Sequence, residues 1–505
     1  MRQKLLIITL IISTISIISS CQKETKNNDS NTEKIQAKPF DREAINANSL
    51  KYPEIGKIIK ETIPVVRQTI ENLKLEYSQK IDNSGVMEKG SPSAAIIRIP
   101  ADYPTLQQAI SHASQNAKII VTGTVTDLGD VLVNVPSLII QGENETSTIN
   151  GNRLFITAPD VTVKNLNINM GIIISGTSNE TLVYNKINSM VNVAGFVYMG
   201  VIPLFMGVLI DQSSNCILKN NEINGHTNNL AINLGILINE GSGNTIESTN
   251  VSFNPANIPN TIFFEGIHAE ESNNNKITNC NIKSNISLNS QINSFGIYAR
   301  GLGNEVTNCK AENVSGPFAL FGDNNKINYC EARIFKWSGF EANGNNNQIK
   351  NCKADGNLIG SYSGSNFGLR GFACIYGENN IFENCKAKNN QFGLELAFDL
   401  SLLNISFLPG TTNLGHRVSK CNLSSNNFYG IFLYKSTACT LQENITGLNG
   451  IIGINLVEAS NSTISKNSSK NNTTCDFNQT NCTGNTIKAN QFGSSCTQSP
   501  WVGPF

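Results

Sequence analysis

Histidine, tryptophan and methionine are scarce in this sequence: four, two and six among 505 residues. His112, His226, His268 and His416 stand far apart, and the methionines form no cluster, so neither a histidine cage nor a copper-type motif has material to be built from. Charge is scarce too. Lys, Arg, Asp and Glu make up 15% of the chain, against about a quarter in ordinary domains. The 38 basic residues balance the 38 acidic ones, so no broad attraction to nucleic acid is implied. Asparagine, serine, glycine and threonine fill the gap, and these are the residues of tight turns.

The ends differ from the middle. Residues 1–20 carry Arg2 and Lys4 and then "LLIITLIISTISII", an apolar run too short for a membrane span. The segment closes with "ISSC", which resembles the lipobox of bacterial lipoproteins; an ordinary signal peptide is the alternative. The resemblance implies removal of the signal, lipidation of Cys21, and a mature chain tethered in the cell envelope. Gln22 in place of Asp implies the outer membrane where the cell has one. Residues 21–50 are polar and read as a flexible tether. Residues 51–97 read as a helical segment, with Ile55, Ile58, Ile59, Ile63, Val66, Ile70, Leu73 and Tyr77 at helical spacing and Pro64 expected to kink it.

A phrase then recurs: "NKITNCNI" at 275–282, "NEVTNCKA" at 304–311, "NKINYCEA" at 325–332 and "NQIKNCKA" at 347–354. In each copy an aliphatic residue is followed three places later by Cys, and in other copies by Asn, as in Leu218–Asn221 and Ile464–Asn467. The anchors Val418, Leu441, Ile464 and Ile487 are 23 residues apart. A period in the low twenties with short strands marks a β-solenoid. Zinc would need these cysteines to converge on one point, whereas they lie a coil apart. Side chains stacked in one orientation are also poorly aimed for disulfides. Packing is the remaining role, so Cys280, Cys309, Cys330, Cys352 and Cys385 are expected as buried thiols. Cys475, Cys482 and Cys496 fall outside the series, and Cys475–Cys482 is the expected bridge in an exported chain.

A second strand completes each coil, as in "LGILIN", "EGIHAE", "FGIYAR" and "YGIFLY", with period-two alternation after the glycine. The whole resembles the right-handed parallel β-helix of the pectate-lyase-like group, and the Asn-rich copies resemble parallel β-helix repeats. This implies an all-β, right-handed parallel β-helix solenoid over residues 98–495, with a tail at 496–505. An N-terminal capping helix is expected in "IPADYPTLQQAISHA", started by Asp102 and Pro104, with Leu106, Ala109, Ile110 and Ala113 on one face. The apolar stretch 190–210 is interrupted by Gly195, Gly200, Pro203 and Gly207, which favours a folded apolar loop ending in a glycine strand over a membrane span.

Alternation after each glycine assigns two outward rows. The first is Leu209, Leu237, His268, Tyr298, Phe318, Glu341, Ala373, Glu395 and Phe432; the second is Asp211, Asn239, Glu270, Arg300, Leu320, Asn343, Ile375, Ala397 and Tyr434. Pro317 leaves the register through "SGPFALFG" open. Rings beside carboxylates and an arginine suit a sugar chain, stacking on its faces and bonding its hydroxyls or uronates. The catalytic candidates are His268 and Tyr298 for proton movement, Arg300 for a uronate charge, and Glu341 for hydrolysis. Glu270, Phe318, Glu395 and Tyr434 are the binding candidates. Glu270 and Arg300, one coil apart, read equally as a surface ion pair.

The resemblance leaves polysaccharide lyase and glycoside hydrolase open as activities. Yet no cluster of carboxylates suggests a metal, no cofactor is implied, and the esterases' paired catalytic aspartates are missing. Glu341 and Glu395 are two coils apart, roughly 10 Å, which is long for an inverting pair. The expectation is a monomeric, lipid-anchored protein that binds, and in the stronger form cleaves, a polysaccharide or glycoconjugate. The alternative is a non-catalytic surface scaffold or adhesin that meets another protein.

Overall fold

The computed structural model describes residues 51–84, 96–188, 191–198, 202–225, 232–253, 263–285, 293–356, 369–397 and 413–496. Cys21, the signal and tether, the 497–505 tail and the residues between these ranges lie outside the description. Two helices, α1 (Lys51–Ser84) and α2 (Leu106–Ser111), precede or interrupt a long succession of short strands.

One sheet of 16 strands begins at Ile96–Ile99 and ends at Thr486–Lys488, each strand pairing with its equivalent in the next coil. A second succession, from Lys186–Ile187 through Asn281–Ser284 to Lys386–Lys388, follows the Cys/Asn bend. A third, here called the floor, contains the glycine strands, from Ile202–Asp211 through Phe263–Glu270 and Phe392–Ala397 to Cys475–Thr480. These pairings are parallel. Val191–Tyr198 instead pairs antiparallel with Ile202–Asp211, so the described parts of the apolar 190–210 stretch are strand rather than loop. Among the described residues no helix is long and apolar enough to cross a membrane.

The Cys/Asn positions, with Thr249 between Asn221 and Cys280, form an internal ladder. The residue before each one has positive φ, as at Asn279 (57°), Asn308 (54°), Asn351 (57°) and Asn384 (54°). This left-handed bend suits Asn better than most side chains. It turns the next N–H along the solenoid axis, where the following coil supplies an acceptor. Asn444 N donates to Asn467 Oδ1 at 2.9 Å, and Asn467 N to Asn490 Oδ1 at 2.8 Å. Each Asn also donates backwards, as Asn467 Nδ2 does to Leu441 O at 2.9 Å. Cysteine makes the same pair of contacts more weakly: Cys280 N meets Cys309 Sγ at 3.4 Å, and Cys309 Sγ donates to Ile277 O at 3.5 Å. The thiols are free and buried, as the repeat implies.

A second ladder occupies another bend and was not anticipated. Asn244, Asn275, Asn304, Asn325, Asn347 and Asn380 each accept the N–H of the preceding coil, from Cys216 onward. His416 takes the next place, with Nδ1 accepting from Asn380 N at 3.2 Å. Burial holds its pKa down to about 4, so it serves as a neutral acceptor. A third, shorter ladder joins Asn390, Asn426, Asn449 and Asn472.

At the N-terminal end, α2 closes the stack by placing Leu106, Ala109 and Ile110 in the core. Its N-cap is Thr105, whose hydroxyl accepts from Gln108 N, while Asp127 accepts from Leu106 N and Gln107 N. Asp102 instead takes the Arg98 N–H in the preceding turn. The other helix, α1, keeps Pro64 inside a single 34-residue helix. It lies on the outer face of the floor, where Ile58, Ile59, Ile63, Val66 and Ile70 bury against Leu132, Phe155, Ile173, Leu209, Leu237 and Phe295.

The expected Cys475–Cys482 bridge is replaced by Cys475–Cys496. Cys475 follows Ile452 in an outward row of the floor, and Cys496 reaches it there. Cys482 stays free, with its Sγ donating to Leu456 O at 3.5 Å against the solenoid interior. Peptide mapping under non-reducing conditions should therefore join Cys475 to Cys496 and leave Cys482 as a thiol. Replacing Cys330 by Ala should cost on the order of 1 kcal/mol in denaturant unfolding. Native alkylation of the ladder thiols as fast as in denaturant would contradict their burial.

Candidate functional site

The outer face of the floor carries three rows of side chains, because the alternation slips by one at the glycine. Phe264, Ile267 and Ala269 point into the core, whereas Glu265, His268 and Glu270 lie on the outer side. Glycine is required at the slip: a Cβ on Gly266 would stand 2.7 Å from Gly296 O and 2.6 Å from Ile282 Cγ2. The residue before each glycine thus faces outward too. That adds Glu265, Phe295 and Arg370 to the outer face, none of which emerges from alternation after the glycine alone.

The central row runs Leu209, Leu237, His268, Tyr298, Ala319, Glu341, Ala373, Glu395 and Phe432. Ala319 replaces the expected Phe318. In this coil Pro317, not Gly316, stands opposite Gly296, where a Cβ would sit 2.4 Å from Pro317 O. Everything after it shifts by one. Phe318 therefore lies inside the solenoid, 1% exposed and stacked on Phe340 at 4.8 Å, and cannot bind a ligand. Phe321 takes the outward place assigned to Leu320, opposite Arg300 and Asn343.

Four charged side chains form a chain across the floor. His268 lies between Glu265, bonded at Nδ1, and Glu270, 3.2 Å from Nε2. Arg300 Nη1 then reaches Glu270 Oε1 at 3.0 Å. Tyr298 stacks on His268 with ring centroids 4.5 Å apart. His268, Glu270 and Tyr298 point outward as expected but are not solvent-exposed, since α1 covers this part of the floor and a Cβ on Gly56 would lie 3.2 Å from Glu270 Oε1. Burial alone would lower the His268 pKa. The two glutamates more than offset it and bring it to about 9. Arg300 keeps its side chain half exposed.

Further along, Glu341 accepts from Asn343 Nδ2 at 2.6 Å, and Arg370 hydrogen-bonds Glu395 while also facing Glu341. Burial raises the Glu341 pKa above the ordinary carboxylate value, against the opposing pull of Asn343 and Arg370. The half-buried rings of Phe321 and Tyr376 stand beside this group, and burial lifts the Tyr376 phenol to about 12. Tyr434 is 9% exposed and belongs to an aromatic cluster with Phe392, Tyr429 and Phe432. Of the eight residues expected in the floor, the structure thus joins His268, Glu270, Tyr298 and Arg300 in one set and Glu341 with Glu395 in another. Tyr434 stands apart, and Phe318 is excluded. Among the described residues no group of His, Cys, Asp or Glu is arranged to hold a metal ion.

A family model described as "Right handed beta helix region" matches residues 206–370, and the fold is a right-handed parallel β-helix. No curated protein matches the sequence. Solved structures similar in fold include the catalytic domain of a GH87 alpha-1,3-glucanase in complex with tetrasaccharides (17% identity, 73% of this chain and 67% of that one, TM-score 0.48). A PL6 alginate lyase complexed with a trisaccharide is 11% identical over 70% of this chain and 86% of its own, with a TM-score of 0.43. The A-module of the Azotobacter vinelandii mannuronan C-5 epimerase AlgE6 is 12% identical over 79% and 97%, with a TM-score of 0.39.

The buried charge chain implies a pH dependence. Since the folded pKa of His268 lies above the ordinary 6.5, its stabilisation is fully present below that value and fades as pH rises through about 9. Thermal unfolding of the parent and of His268→Gln should therefore differ most near pH 6, and the gap should close by pH 10. A gap that widens on the alkaline side would contradict the assignment.

Proposed function

We propose that this chain is an extracytoplasmic protein, lipid-anchored at Cys21, that binds a polysaccharide along the part of the floor beyond α1. The supporting observation is the group around Glu341. A buried carboxyl of raised pKa stands with Arg370, Glu395 and Asn343, with half-buried rings at Phe321 and Tyr376 and a half-exposed cation at Arg300. Rings offer faces for pyranose stacking, and fixed charges discriminate hydroxyls from carboxylates. Glu270 holds the Arg300 guanidinium by one nitrogen, which presets the orientation of its remaining donors.

Where the bound chain is cut, Glu341 is the proton donor. Burial shifts this carboxyl toward its protonated form, the form that can give a proton to a glycosidic oxygen. Glu395, two strand spacings or about 10 Å away at the backbone, is already engaged by Arg370. It is placed to hold that cation rather than to serve as a free nucleophile.

A glycan array followed by product analysis tests this reading. The parent should bind at least one polysaccharide, and Arg300→Ala should weaken binding by about tenfold. Glu341→Gln should retain binding and abolish any products. Its melting temperature should equal or exceed the parent's, with the difference growing as pH rises above the ordinary carboxylate value of 4.5. The sign follows from the raised pKa: the unfolded chain loses this proton at the ordinary carboxylate value while the folded state still favours the protonated acid, so the parent loses stability between the unfolded and folded pKa, a loss that Gln does not share. A parent that ignores every glycan but captures a protein partner would make it a scaffold or adhesin instead.

A further inference from the structure

The second succession of strands, after the Cys/Asn bend, presents two outward rows between Asn281 and Lys388, because Ile282, Ala311, Ala332, Ala354 and Ala387 between them point into the core. One row runs Lys283, Glu312, Arg333, Asp355 and Lys388. Its signs alternate from coil to coil, so each charge has an opposite neighbour on the next strand. The other row runs Asn281, Lys310, Glu331, Lys353, Lys386 and Asn422. Here the signs do not cancel.

The one carboxylate of that row is already engaged, since Arg333 Nη2 in the alternating row holds Glu331 Oε1 at 2.7 Å. Lys310, Lys353 and Lys386 are left without a carboxylate partner among the described residues, and all three are exposed. Lys353 and Lys386 stand directly opposite each other in register, an arrangement that costs stability when nothing lies between the like charges. The 16-strand sheet treats its lysines differently: Lys219, Lys326 and Lys350 pair with Glu247, Glu305 and Glu383 at 3.0, 2.9 and 3.3 Å. The surplus is also bounded. Before it the same face carries Asn250 and Ser252, and after it Asn422 and Ile445. Six cations against three carboxylates over the two rows leave a local excess of three, in a chain whose net charge is zero.

We propose that this face docks a linear acidic polysaccharide, laid along the solenoid axis so that its carboxylates or sulfates meet Lys310, Lys353 and Lys386. This rests on the polysaccharide reading for the nature of the polymer, and adds its charge and a second contact face. The face is separate from the floor, since Arg300 and Glu341 belong to the glycine strands. From Lys310 to Lys386 the row spans three coil spacings, about 14 Å, and amines on one line fit a chain better than a plane. Neither row carries an apolar side chain between Asn281 and Lys388, so nothing is offered for insertion into lipid. The ammonium groups sit on flexible stems, and affinity therefore comes from charge and falls as salt is added.

The test titrates the full-length protein by calorimetry with linear hexasaccharides of galacturonate, mannuronate and glucose, and with vesicles of phosphatidylglycerol. At least one acidic hexasaccharide should bind, more weakly at high salt, and glucose should bind less well. The double variant Lys353→Gln, Lys386→Gln should keep the parent's melting temperature or exceed it and weaken acidic binding by about tenfold. Acylation followed by peptide mapping should show the bound hexasaccharide shielding Lys353 and Lys386 but not Lys219 or Lys326. A double variant that binds like the parent, while Arg300→Ala loses affinity, overturns this face and leaves the floor reading standing. Equal binding of glucose and the acidic sugars, or salt-insensitive binding, overturns it as well. Vesicle binding that the double variant loses, with no acidic hexasaccharide shielding the two amines, makes the face a membrane contact and overturns the polysaccharide as its occupant. Failure of every sugar with the parent overturns both readings.

Discussion

Each bend of a parallel coil turns a backbone N–H out of the strand ladder, and burying it unpaired would cost roughly 1–3 kcal/mol. A solenoid repeats that problem once per bend per coil. Here it is met by a side-chain oxygen, sulfur or ring nitrogen from the next coil, which accepts the amide while its own donor, where it has one, reaches back to an earlier carbonyl. The pairs Asn444–Asn467 and Asn467–Asn490 do this with oxygen, Cys280–Cys309 with sulfur, and Asn380–His416 with an imidazole. The floor rows, the α2 cap and the site all take their positions from coils held in register by these contacts.

This constraint explains what could be read from the sequence. An acceptor is needed at the same place in every coil, so the Cys/Asn series is visible and the solenoid follows from it. The second ladder escaped notice because its Asn residues lie among other turn asparagines, with no cysteine to mark them. Period-two alternation placed most of the central row, but it failed at Pro317, which takes the place of a floor glycine and sends Phe318 inward. Glu265 and Arg370 were missed because alternation slips at the glycine, so the preceding residue faces out as well. The disulfide was misassigned because sequence proximity favoured Cys482, while the fold turns Cys482 toward the interior and Cys475 away from it.

The seat of α1 did leave a trace. In the early coils the outward central row is Leu132, Phe155, Ile173, Leu209 and Leu237, and an apolar row of that length requires cover. Past Leu237, still beside the start of α1, the row changes character to His268, Tyr298, Ala319 and Glu341. The charge chain Glu265–His268–Glu270–Arg300 marks the transition. With His268 protonated its signs alternate and cancel, which lets four ionisable groups sit together at the edge of an apolar interface. Helix and charge chain therefore share one surface, the charged groups lying where the outward residues stop being aliphatic.

The C-terminal coils show how such a surface can change its reach. From Cys421 to Asn490 the ladder residues recur at 23-residue intervals, each making the same contacts with the next. A segment of 23 residues spliced in at that spacing would find its amide donor and its acceptor already in place. It would lengthen the floor by about 4.8 Å without altering the chemistry on either side. In such a scaffold the number of coils acts as a ruler, and the length of the outer face can be revised by duplication alone.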